Sequence, residues 1–138
     1  MFLFIITNNY FNTEDETLLP QYNVNGSVKE GNYSDVTYIK DTNPYNFTSI
    51  YGINLNTQDV DVENILGSSS YTLYVSNNNI YTIDYRYFAM PFFTSIMSED
   101  AIEVQEQTVA ISKYSLDGND VTLAAVGEVK GSPLNQFS

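Results

Sequence analysis

The chain of 138 residues contains no cysteine and no histidine, and only five basic side chains stand against 17 acidic ones. Each shortage excludes a class of chemistry. Without cysteine there are no disulfides, thiolate metal ligands or thiol nucleophiles; the redox compartment stays open, because an exported protein need not carry disulfides. Without histidine there is no Ser-His-Asp triad, no imidazole ligand and no general base of the commonest kind, so any catalysis would rest on carboxylate, Lys, Tyr or Ser. Lys29, Lys40, Arg86, Lys113 and Lys130 lie far apart, and the formal net charge is −12 with a pI near 4.1. Binding phosphate needs clustered positive charge, which argues against nucleic acid and against anionic membrane surfaces as partners. Long apolar runs are also missing: MFLFIIT has no basic flank and no small-residue cleavage site before polar TNN, so it reads as a strand rather than a leader. No stretch is long enough to insert in a membrane.

What is present points to strands. One domain is expected at this length. Twelve Tyr and eight Phe fit pleated, half-buried surfaces, and apolar residues alternate more often than they recur at helical spacing. The fold class is therefore all-β with antiparallel sheets. A single helix is conceivable over 99–107, with Ser98 as its cap, against the alternative of an acidic surface loop.

Strands are expected at 2–7, 35–40, 47–55, 60–66, 71–76, 80–88, 107–116 and 121–129. The segments 8–34 and 88–106 read as irregular loops. Asn77 to Asn79 are expected to turn one hairpin through left-handed conformations, and Asp117-Gly118 to turn another.

The chain also echoes itself. FTSIYGINLNTQDVDVENILGS (47–68) and TVAISKYSLDGNDVTLAAVGEVKGS (108–132) share the order strand, Leu, turn with Asp before Val, strand, Gly-Ser. Leu55 matches Leu116, Asp59-Val60 matches Asp120-Val121, and Gly67-Ser68 matches Gly131-Ser132. A third echo sets LFIITNNY (3–10) beside LYVSNNNIY (73–81). The period, roughly sixty residues, is compatible with large propeller blades.

GEVKGSPLNQFS at the end of the chain, the hairpin strand ending in Tyr114-Ser115-Leu116 before it, LYVSNNNIY and FIITNNY resemble secreted β-propeller proteins of archaea and some bacteria, a domain family of unknown function. LNQFS is the most specific piece; the loops at 8–34 and 88–106 match nothing. The resemblance implies about two blades of a β-propeller, with the remaining blades of a parent protein as partners and any signal or anchor outside this segment. Residues 1–138 then form one β module, a fragment of something longer. Known rings need at least about four blades. Two blades alone would leave apolar faces and strand edges open, so the sheets either stack as a compact β-sandwich or self-associate.

Five groups of residues could carry chemistry. Asp59, Asp61 and Glu63 alternate on one face of a strand, either as oxygen ligands for calcium or as a solvated face opposite Val60 and Val62. LDGND (116–120) resembles part of a calcium loop and is also a plain hairpin turn. Glu99, Asp100, Glu103 and Glu106 could include a glycosidase-type acid/base pair, or form a solvated charge run. Tyr81, Tyr85, Arg86, Tyr87 and Phe88 could form an aromatic platform for a sugar ring or a protein, although alternation sends about half of them to the core. Asn25, Asn32 and Asn46 head N-glycosylation sequons, which fit an exported protein and also arise by chance in an Asn-rich chain. The expected function is a non-catalytic extracellular or cell-surface interaction scaffold for protein or glycan, with no cofactor. The alternatives are part of a carbohydrate-active enzyme and a calcium-stabilised adhesion module.

Overall fold

The computed structural model describes residues 1–10, 19–40, 42, 46–68, 72–86 and 108–131. Within them the chain forms two four-stranded sheets and a separate hairpin. The C-terminal sheet is an antiparallel meander of β7 (Thr72–Val75), β8 (Asn79–Arg86), β9 (Thr108–Asp117) and β10 (Asp120–Lys130), in that spatial order. Its hairpins sit where the turn residues place them. Gly118, at φ 65°, supplies the left-handed backbone needed between Asp117 and Asp120. The β7–β8 turn differs from expectation: the asparagines keep negative φ, and the Ser76 N–H closes the turn on the Asn79 carbonyl at 2.9 Å.

The N-terminal sheet has the order β1 (Phe2–Tyr10), β5 (Asn46–Asn54), β6 (Val60–Leu66), β4 (Val36–Tyr38). Its first three strands are antiparallel and repeat the β8–β9–β10 arrangement. β4 departs from the all-antiparallel expectation by pairing parallel to β6. The Ile39 N–H extends that pairing to the Leu66 carbonyl. The third sequence echo does not survive as structure, because β1 pairs with β5 as β8 pairs with β9 and so occupies the place of β8 rather than β7.

The two sheets stack face to face. Alternation turns Ile50 and Ile65 of one sheet toward Ile80, Tyr114 and Val121 of the other; Ile39, Phe4, Ile6, Leu116 and Leu123 complete this core. A close approach at Gly52 sets the spacing, since a Cβ there would lie 1.8 Å from the Asn119 carbonyl oxygen.

The segment expected as one irregular loop from 8 to 34 is more ordered than that. β1 runs on to Tyr10, and β2 (Gln21–Val24) and β3 (Ser27–Glu30) form a hairpin. Asn25 (φ 51°) and Gly26 (φ 85°) form its left-handed turn, and Asn23 Oδ1 accepts from the Gly26 N–H. A short 3-10 turn over Tyr33–Asp35 follows, capped by Asn32. Tyr22 of the hairpin meets Tyr51 edge to face, with ring centres 5.5 Å apart, and so covers part of the outer face of the N-terminal sheet.

Candidate functional site

The Asp-Val-Asp-Val-Glu stretch is built into the junction between the sheets. Asp61 and Glu63 share the face of β6 that looks at β10. Asp61 Oδ2 accepts from the Val121 N–H at 2.9 Å, and Glu63 accepts from the Thr37 hydroxyl at 3.0 Å and from the Leu123 backbone. The carboxylates thus satisfy outward-facing donors of β10, an edge strand of its sheet. Burial pushes the Glu63 carboxyl pKa up and the nearby Asp61 charge adds to this, while the two hydrogen bonds pull it down. This inward setting replaces the solvated face expected opposite Val60 and Val62. Asp59 stands apart, exposed in the turn, where it accepts from the Thr57 hydroxyl at 2.6 Å. Among the described residues no three acidic side chains gather in a metal-binding group.

At the other end of the junction lies a polar cluster that alternation in the IYTIDYRYF segment could have revealed. With Ile80 inward, Thr82 and Asp84 must point inward too. The Ser68 hydroxyl donates to Asp84 Oδ2 at 2.8 Å. The Ser68 carbonyl accepts from Asn46 Nδ2 and, at 2.9 Å, from the Thr48 hydroxyl, which also lies 2.8 Å from Asn8 Oδ1. Thr82, Ser112 and Tyr114 complete the cluster, yet none of their hydroxyls finds a partner of good geometry among the described residues. Burial raises the Tyr114 pKa and the Asp84 charge adds to it; the neighbouring Thr82, Ser112 and Ser68 hydroxyls oppose the shift. Thr48, Ser68, Thr82, Ser112 and Tyr114 are all closed to solvent. The cluster joins the two sheets.

The outer face of the C-terminal sheet is partly accessible. Tyr81, Ile83 and Tyr85 of β8 point to it half-buried, opposite half-buried Lys113 and Ile111 and buried Val109 of β9. Tyr74 of β7 pairs with Tyr81 at a ring separation of 6.0 Å and is itself exposed, as is Val129 of β10. Alternation therefore sends Tyr81 and Tyr85 together to this face, away from the core. Arg86 ends β8; Tyr87, Phe88, the acids at 99, 100, 103 and 106, the candidate helix and LNQFS lie outside the described residues.

The three sequons separate by accessibility. Asn25 and Asn32 are exposed. Asn46 is only 4% exposed and its amide is bound to the Ser68 carbonyl, which removes it as a glycan acceptor in the folded chain.

Two stacked sheets, one a four-stranded antiparallel meander and the other sharing three of its strand positions, define an all-β protein of propeller type. The model of the β-propeller domain family matches residues 4–138, and the chain belongs to that family. Comparison with curated proteins found no match, and neither did comparison with solved structures. Among the described residues no helix is long and apolar enough to cross a membrane.

Proposed function

We propose that the chain is a non-catalytic interaction module of an extracellular or cell-surface β-propeller, holding a protein or glycan partner on the outer face of the β7–β10 sheet. The observation that carries this reading is the aromatic and apolar make-up of that face, with Tyr74 tilted against Tyr81 and both Tyr74 and Val129 open to solvent. Flat aromatic surface with a polar tip suits both protein anchors and sugar rings. The non-catalytic role is supported by the missing His and Cys and by the structural employment of Asp61, Glu63 and Asp84. The extracellular setting is supported by the two exposed sequons, Asn25 and Asn32.

A photoreactive amino acid placed at Tyr74, and in parallel at the exposed Tyr33, tests the reading in the cells that make the protein. The expected result is an adduct of discrete mass from position 74 and none from position 33. Equal or absent labelling at both positions would remove the outer face as an interaction site.

A further inference from the structure

The strand registers reveal which faces of the two sheets are equivalent. In the N-terminal sheet Phe4 and Ile6 of β1, Ile50 of β5 and Ile65 of β6 lie on the face packed against the C-terminal sheet. Superposing β1–β5–β6 on β8–β9–β10 by their pairing places Tyr81 on Phe4, Ile83 on Ile6, Ile111 on Ile50 and Val129 on Ile65. These four residues lie on the outer face of the C-terminal sheet. The set that builds the core between the sheets is therefore written a second time on an outer surface.

The receiving side is duplicated as well. Ile80, Tyr114 and Leu123, which receive the N-terminal sheet, correspond to Leu3, Ile53 and Val60. These lie on the opposite, outer face of the N-terminal sheet, where Leu3 and its neighbour Ile5 are each 43% exposed. Each molecule thus carries on its outer faces a second copy of both halves of its own inter-sheet interface, open at Val129, Leu3 and Ile5 and covered at Val109 and, by Tyr22, at Tyr51. The halves point in opposite directions, which gives a head-to-tail contact rather than a two-fold one.

Charge agrees with this placement. Lys113 occupies the position of Gly52, which receives the β9–β10 turn at Asn119. In an incoming copy the corresponding turn is β5–β6, which carries the exposed Asp59.

We propose that the occupant of the β7–β10 outer face is the β1–β5–β6 sheet of a second copy of this chain, seated as the molecule's own C-terminal sheet sits on its N-terminal sheet. The proposal rests on the interaction reading of that face and names its partner. Because each copy carries a charge of −12, added salt strengthens the association by screening their repulsion.

The test uses Val129→Asp and Leu3→Asp, one in each half of the interface, with Ile5→Asp as a second variant of the receiving half. Light scattering on a sizing column should give wild-type mass at twice 15.6 kDa or a higher multiple. Each variant alone should give the monomer mass. An equimolar mixture of Val129→Asp with Leu3→Asp, or with Ile5→Asp, retains one intact interface and should return a dimer and nothing larger. A monomeric wild type overturns the proposal, as does a mixture that stays monomeric. An adduct at position 74 whose mass differs from a second copy, beside a monomeric wild type, overturns this partner and leaves the interaction reading in place; no adduct ends both.

Discussion

Asp61 and Glu63 show how one pair of side chains can be mistaken for a ligand set. Period-two alternation correctly puts both carboxylates on one face of β6, but which face meets another sheet depends on residues far along the chain. The deciding strand is β10, whose Val121 N–H reaches Asp61. A pH dependence follows from the raised pKa of Glu63. Folded Glu63 keeps its proton to a higher pH than unfolded Glu63, so folding takes up a proton between the two values. Stability contributed by this group is therefore complete below the ordinary glutamate pKa and falls as pH rises through the raised one. Glu63→Gln should flatten that part of the profile and leave the variant less sensitive to rising pH, as read by urea midpoints at stepped pH. An unchanged slope would mean that Glu63 titrates normally. Asp84 is the more legible residue: an acid two positions beyond Thr82 and four beyond Ile80 is forced inward by the same alternation that buries them.

At the scale of elements, the strands of the two sheets are readable because their turns are chemically explicit. Asp117-Gly118 announces the β9–β10 hairpin, and β6 starts at Val60 and ends at Leu66 as its pattern implies. Asn25-Gly26 is an equally strong hairpin signal, obscured by its place in an NGS sequon and by weak alternation in the four-residue strands on either side. The parallel pairing of β4 is not legible, because a three-residue strand carries no sign of its direction. Glycines make the inter-sheet spacing testable. Gly52→Ala sets a methyl against the Asn119 carbonyl and should cost about 1–3 kcal/mol in chemical denaturation. Gly127→Ala occupies open space in β10, at the position equivalent to Glu63, and should change stability by less than about 1 kcal/mol. Equal effects at both sites would contradict the close approach of the sheets at Gly52.

For the whole molecule, the echo between 47–68 and 108–132 carries the most information, since the two units it marks in the amino-acid sequence fold as the β5–β6 and β9–β10 hairpins. What it cannot convey is that equivalent residues have different surroundings: the face that is core in the first unit is outer surface in the second. That difference is the central claim, and it is tested most directly by placing one charge at two equivalent positions. Ile65 is 0% exposed and Val129 is 53% exposed. Thermal unfolding of Ile65→Asp and Val129→Asp, in solution dilute enough to keep the chain monomeric, compares them under one condition. Ile65→Asp buries an unpaired carboxylate and should lose about 4 kcal/mol or more, enough to abolish a cooperative transition in a marginal domain. Val129→Asp should stay within about 0.5 kcal/mol of wild type. Equal destabilisation by the two would contradict the account, because the outer face of the C-terminal sheet would then be core rather than a surface for a partner.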